Sequence, residues 1–122
     1  SKKQLELLKD KVDIYSGNDN QTYDFVINGG VGVVSVASHV VGDEISEMIS
    51  FAKDNDLEKA EEINMQLSNL FEAIFEEPSP GPIKKILSES WEEVGEPLLP
   101  ITSITPELAN KIRGFYKKIK EN

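Results

Sequence analysis

The chain of 122 residues contains no cysteine and a single histidine, His39. The absence of cysteine excludes a disulfide framework, a thiolate metal site and a thiol nucleophile. A metal site would have to be built largely from carboxylates, because His39 has no second histidine to pair with. We therefore interpret His39 as part of a polar loop that follows a strand, and we expect neither a metal ion nor another cofactor.

Positive charge is also scarce, with 13 lysines and arginines against 22 acidic residues, a net charge of -9 and a pI near 4.6. This charge opposes binding to phosphate backbones and anionic lipids, so neither nucleic acid nor a membrane is an expected partner. The sequence contains no recognisable signal peptide and no long apolar run. From these features we expect a cytoplasmic location.

Two short apolar stretches, residues 12–16 and 32–37, have the composition of β-strands. The second stretch is almost continuously apolar and β-branched, which is typical of a parallel strand covered on both faces. Between them, Asn18 is a candidate N-cap with Gln21 three residues later, and Tyr23, Val26 and Ile27 share one helical face. The order strand, helix, strand predicts a parallel βαβ unit with a right-handed crossover.

The glycines at positions 29, 30 and 32 invite comparison with a nucleotide-binding loop. A dinucleotide fingerprint follows a strand and opens a helix, whereas these glycines close a helix and lead into a strand. We therefore predict that Gly29 and Gly30 terminate the helix and form a tight turn.

The rest of the sequence predicts helices. One covers residues 2–11, with Leu5 and Leu8 on one face, and another opens at Gly42. Two more begin at Pro82 and at Thr105–Pro106–Glu107. The longest is capped by Asp56 and ends before Pro78, and its predicted buried stripe consists of Ala60, Ile63, Leu67, Leu70, Phe71, Ile74 and Phe75.

Several polar or aromatic residues were weighed as functional groups. The pairs Glu76–Glu77 and Glu92–Glu93 are interpreted as solvated surface, because adjacent side chains at a helix end diverge. Lys84, at a helix start, is expected to contact a local carboxylate. Trp91 is interpreted as a core or subunit-contact residue and not as a ligand platform.

Two parallel strands are too few for a stable sheet, which usually has about 4–6 strands. The remaining strands could come from sequence outside this chain or from partner chains. Alternatively, the helices could wrap the two strands in an unusual small fold.

Four segments together resemble successive blocks of the dihydrodipicolinate synthase family. They are residues 15–19 (YSGND), 29–36 (GGVGVVSV), 77–84 (EPSPGPIK) and 98–102 (LLPIT). The resemblance covers nearly the whole chain but only the C-terminal part of the family's sequence. It implies an α/β fold, the C-terminal fragment of a (β/α)8 TIM barrel, which is predominantly helical with two parallel strands and five or six helices. Residues 1–53 would form the last two βα units, and residues 54–122 a C-terminal helical extension.

The resemblance also implies a lyase chemistry. In this family a lysine forms a Schiff base with pyruvate, and the enamine condenses with aspartate semialdehyde in lysine and diaminopimelate biosynthesis. By the family's pattern this lysine and the tyrosine–threonine proton relay precede Ser1, so the chain alone is expected to be inactive and to contain no catalytic residue. Gly17 and Val34 match pocket-lining positions that present main-chain groups near pyruvate.

Self-association is expected in either of two cases. A fragment of an oligomeric synthase would expose the edge of its first strand and apolar faces that other barrel units cover. The alternative is a stand-alone acidic helical module that self-associates and has no catalytic activity. The sequence leaves both open.

Overall fold

The computed structural model describes residues 2–8 and 10–121. The chain divides into two compact units, residues 1–65 and 66–122. The described elements, in chain order, are α1 (Lys2–Leu8), β1 (Tyr15–Ser16), a 3-10 turn (Asp19–Gln21), α2 (Thr22–Ile27), β2 (Gly32–Val33), α3 (Ser38–Lys53), α4 (Leu57–Ile74), α5 (Gly81–Ser90) and α6 (Pro106–Glu121). Two strands and predominantly helical structure are therefore confirmed.

The two strands pair in parallel, with Tyr15 opposite Gly32 and Ser16 opposite Val33. Both are shorter than the predicted ranges 12–16 and 32–37. The chain leaves the second strand early because the backbone N–H groups of Val36 and Ala37 bond to a side chain of the first βα loop. The predicted ranges were thus wrong in length, although the parallel pairing was predicted correctly.

The strands also lack the expected cover on both faces. Val12 and Tyr15 are each 54% exposed, and Val34 is 73% exposed. These apolar side chains lie on or beside the short sheet and leave it an exposed apolar surface.

Helix α2 ends in the glycine turn that the sequence predicts. Gly29 has φ 102°. The N–H of Gly29 donates to the carbonyl oxygen of Val26 at 3.0 Å, and that of Gly30 donates to Phe25 at 2.9 Å. This pair of bonds is a Schellman motif, which satisfies carbonyl groups that the helix end would leave unpaired. The structural interpretation of Gly29 and Gly30 is therefore confirmed.

Helix α3 begins four residues before the predicted start at Gly42. Its backbone leaves helical geometry at Val41 (φ -129°, ψ 35°), so a kink lies immediately before Gly42. His39 is exposed in the first turn of this helix, and its placement in a loop was wrong. The helix ends at Lys53, where Asn55 takes the left-handed conformation (φ 62°), and Asp56 accepts a bond from the N–H of Lys59 near the start of α4.

In the second unit, α5 packs against α6. The helix starts agree with the sequence to within one residue, since α5 begins at Gly81 and α6 at Pro106. Phe75 is 47% exposed, contrary to expectation, because α4 ends at Ile74. The apolar core of this unit consists of Leu67, Leu70, Phe71, Ala73, Ile74, Ile83, Ile86, Leu108, Ala109, Ile112 and Ile119.

Candidate functional site

The two positions singled out from the sequence, Gly17 and Val34, directly follow the paired strands. The N–H of Val34 donates to the carbonyl oxygen of Ser16 at 2.8 Å. The main chains of the two positions therefore meet at the carboxyl edge of the sheet. In α/β barrels this edge is where active sites are built.

The loop that carries Gly17 is held by short-range hydrogen bonds. The hydroxyl of buried Ser16 donates to the carbonyl oxygen of Asn18 and accepts from its N–H, each at 3.1 Å. The hydroxyl of Thr22, fully buried, donates to the same carbonyl at 3.4 Å. Asn18 makes no side-chain cap bond, and its amide instead contacts the side chain of Gln21 at 3.4 Å. The predicted role of Asn18 as an N-cap was therefore wrong.

Asp19 is the residue of this loop that the sequence reasoning missed. Its side chain is buried, with 2% of the residue exposed. One carboxylate oxygen accepts a hydrogen bond from the hydroxyl of Ser35, and the other accepts from the N–H groups of Val36 and Ala37 at 3.1 Å each. The carboxylate thus connects the loop after β1 to the loop after β2.

These bonds also cap α3. Ala37 occupies the N-cap position and has no side-chain oxygen to accept a bond. The N–H of Ser38 donates to the hydroxyl oxygen of Ser35 at 2.8 Å, and Asp19 takes the two preceding N–H groups. A negative charge at a helix N-terminus is also favoured by the helix dipole. Asp19 escaped the sequence reasoning because its partners lie 16 to 18 residues away.

A cavity of about 370 Å³ opens beside Gly17. Its volume suits a small-molecule ligand. Val34 does not line it. The described residues that line it are Leu5, Tyr15, Ser16, Gly17, Gln21, Asp24, Phe25 and Asn28.

Tyr23, on α2, carries a phenol whose pKa is raised above its ordinary value. Partial burial raises the pKa of its phenol, and the negative charges of Glu61 and Asp24 raise it further. Both effects make the hydroxyl harder to deprotonate.

The remaining candidate residues form no second site. Glu76 pairs with Lys111 at 2.8 Å, whereas Glu77 accepts from the N–H and hydroxyl of Thr105 at 3.1 and 3.0 Å, so the adjacent carboxylates diverge as expected. Lys84 donates to the backbone carbonyl of Glu96 at 3.0 Å, so the expected carboxylate partner was wrong.

Trp91 is 72% exposed, which removes its interpretation as a core residue and leaves the subunit contact as a prediction. Within residues 2–8 and 10–121, no three histidine or acidic side chains cluster closely enough to hold a metal ion. Over the same residues, every helix is too short or too polar to cross a bilayer.

Almost the full chain is similar to one family of known proteins. Residues 2–119 match the model of the Dihydrodipicolinate synthetase family. A 4-hydroxy-tetrahydrodipicolinate synthase from Caldicellulosiruptor bescii is 34% identical over 94% of this chain, but the match spans only 38% of that relative.

Solved structures show the same relation. The dihydrodipicolinate synthase of Cyanidioschyzon merolae, crystallised with lysine bound, is 38% identical and superposes with a TM-score of 0.84 over 88% of this chain and 37% of its own. The enzyme of Acinetobacter baumannii, complexed with pyruvate, is 26% identical with a TM-score of 0.89 over 98% of this chain and 41% of its own. The fold is therefore that of a part of a TIM-barrel synthase, as the sequence predicts. The chain belongs to the dihydrodipicolinate synthetase family.

Proposed function

We propose that this chain forms the C-terminal part of the barrel of a 4-hydroxy-tetrahydrodipicolinate synthase. In the complete enzyme, Gly17 and Val34 line the pyruvate pocket with their main-chain groups. The observation that carries this proposal is the hydrogen bond between Val34 and Ser16, at the carboxyl ends of two parallel strands. The pyruvate complex of the Acinetobacter baumannii relative supports pyruvate as the ligand.

The chemistry proposed for the complete enzyme is condensation of pyruvate with aspartate semialdehyde through a lysine Schiff base. Covalent catalysis of this kind needs a positioned and partly deprotonated amine. By the family resemblance, no lysine of this chain matches the position of that amine. We therefore propose that these 122 residues contribute main-chain groups to the pyruvate pocket but not the lysine that forms the Schiff base.

The first test is trapping of a Schiff base on the isolated chain. The chain is incubated with pyruvate and sodium borohydride, and its intact mass is measured beside that of the Caldicellulosiruptor bescii synthase. We expect a pyruvate adduct on the relative and none on this chain. A labelled lysine in this chain would overturn the inactivity that we propose.

A chimera tests the positive part of the proposal. Residues 2–119 replace the matched segment of the Caldicellulosiruptor bescii enzyme, and condensation activity is measured after folding is checked by circular dichroism. We expect measurable activity, because the strand ends retain the main-chain geometry described above. A folded chimera without activity would contradict the proposal.

The same proposal covers the organisation of the chain. Residues 1–53 contribute the last two βα units of the barrel, and residues 54–122 contribute the C-terminal helical extension. We also propose that the complete enzyme is a cytoplasmic homo-oligomer, and the exposed apolar side chains of Val12, Tyr15 and Val34 support the association.

The exposed apolar side chains of Val12, Tyr15 and Val34 favour one second candidate, a stand-alone module that self-associates. Light scattering after size exclusion tests this second candidate. A non-catalytic module of this kind forms a defined oligomer by itself, and a compact monomer would rule it out.

A further inference from the structure

Asp19 joins two loops that each contain a pocket-lining position. Its carboxylate belongs to the loop that begins with Gly17, and its three hydrogen-bond donors belong to residues 35–37, which follow Val34. These bonds are the described side-chain links between the two loops, and the backbone bond from Val34 to Ser16 lies next to them.

We propose that Asp19 is a positioning residue for pyruvate binding, which sets the distance between the main chains at Gly17 and Val34. This inference rests on the proposed function, because it assigns Asp19 to the same pyruvate pocket. The residue acts through the loops and does not itself contact the substrate.

The hydrogen bonding of Asp19 favours positioning over proton transfer. Both carboxylate oxygens already accept bonds from Ser35, Val36 and Ala37, and the residue is almost completely buried. A buried carboxylate is stabilised only when its lone pairs are satisfied, so these bonds are strongly held. Such a group fixes the atoms around it and is poorly placed to exchange protons with a ligand.

The shortness of the two strands explains why a further contact is needed to fix the main chains of Gly17 and Val34. β1 and β2 each have only two residues, so the short ladder alone constrains the strand ends weakly. The Asp19 bonds begin two residues beyond β2, where the chain turns into α3. A small displacement here moves the main chain of Val34 relative to that of Gly17.

The first experiment examines the isolated chain by amide hydrogen exchange. In Asp19→Ala we expect the N–H groups of Val36 and Ala37 to exchange at least about 10-fold faster than in the parent chain. The N–H of Val31, which donates to Ile14, is the internal control and is expected to change much less. Unchanged exchange at Val36 and Ala37 would overturn the inference.

The second experiment measures kinetics in the chimeric enzyme described above. We expect Asp19→Ala to raise the KM for pyruvate about 10-fold, because misplaced binding groups weaken ligand positioning. The KM for aspartate semialdehyde is expected to stay unchanged. Asp19→Asn has nearly the same shape as the parent residue and retains a carbonyl oxygen for the two N–H groups. We expect it to give an intermediate KM for pyruvate.

Thr22→Val is the matched structural control, because Thr22 is buried directly after the same loop and its hydroxyl donates to the carbonyl oxygen of Asn18, not to the residues after β2. We expect it to lower stability without raising the KM for pyruvate. Equal rises in Thr22→Val and Asp19→Ala would overturn the inference, as would a fall in kcat with unchanged KM. A folded but inactive chimera that retains Asp19 would instead overturn the proposed function, and the inference with it.

Discussion

The two units bury different kinds of residue. The first contains three buried polar side chains, Ser16, Asp19 and Thr22, between the end of β1 and the start of α2. In the described part of the second unit, the buried side chains are apolar, and charged residues form ion pairs at the surface. These pairs are Lys85–Glu89, Glu76–Lys111, Arg113–Glu89 and Lys117–Glu121.

The buried carboxylate of Asp19 fixes the geometry of two loops, whereas the apolar core of the second unit stabilises the fold in general. Burial of a carboxylate is unfavourable unless every lone pair finds a donor, so Asp19 requires one particular arrangement of its loops. An apolar helix stripe tolerates substitutions that keep the side-chain volume, so it specifies the position of its neighbours less strictly. The candidate site thus lies beside the buried polar side chains of the first unit.

The largest loss of stability is expected from a substitution in the apolar core of the second unit. Phe71 is 1% exposed, and Phe71→Ala should lower the free energy of unfolding by about 3–5 kcal/mol through lost burial and a cavity. The control is Phe75→Ala, since Phe75 is 47% exposed and should give a much smaller loss. Urea unfolding followed by circular dichroism measures both, and equal losses would contradict this description of the core.

In the first unit, the tight turn after α2 should resist any added side chain. A Cβ at position 30 would overlap the ring of Phe25 and lie 2.9 Å from its carbonyl oxygen. Gly30→Ala is therefore expected to lower stability by about 1–3 kcal/mol. Gly17→Ala is the control, because nothing lies within 4 Å of its added Cβ. A thermal melt that finds Gly30→Ala harmless would exclude the overlap.

Adjacent glutamates in the second unit provide a sharper comparison. Glu77 accepts two bonds from Thr105 just before α6, and Glu77→Ala should lower stability by about 1 kcal/mol, as loss of a helix cap does. Glu76→Ala removes only the exposed pair with Lys111 and should change stability by less than about 0.5 kcal/mol. Urea unfolding measures both variants, and we expect the lower midpoint for Glu77→Ala. A lower midpoint for Glu76→Ala would show that Glu76, and not Glu77, contributes more to stability.

The smallest change in stability is expected when an exposed ion pair is removed, and this change depends on pH. The hydrogen bond from Arg113, which joins Glu89 at 2.7 Å, is the main cause of the lowered pKa of Glu89, and Lys85 lowers it further. Because the folded pKa lies below the ordinary value of 4.5, this stabilisation is present at neutral pH and is lost as the pH falls through the folded pKa.

Arg113→Gln should therefore be less stable than the parent chain at pH 7, and the difference should shrink in acid. Lys117→Gln, which removes a longer pair at 3.7 Å, is the control and should show less pH dependence. Thermal melts between pH 7 and pH 3 measure both variants. A difference that grows in acid would have the wrong sign for a lowered carboxyl pKa.

Local signals in the sequence predict the helices more accurately than the strands. Pro106 and the stripe that includes Leu108, Ile112 and Ile119 predict α6 correctly, because capping and helical periodicity act within a few residues. Residues 32–37 have strong strand composition, yet only Gly32 and Val33 pair. The remainder is directed into α3 by Asp19, a contact that no local pattern reveals.

The sequence by itself determined the parallel order of the strands, the glycine turn, the helical second half and the resemblance to a synthase family. The helices and the glycine turn depend on backbone preferences and on residues close together in the chain, and the parallel order follows from the strand–helix–strand pattern. Only the tertiary structure decided that Asp19 bonds to the chain at the start of α3, that the side chain of Asn18 caps no helix, and that Phe75 and Val34 lie exposed. Burial and long-range hydrogen bonds depend on which distant segments come together, and that information resides in the folded chain.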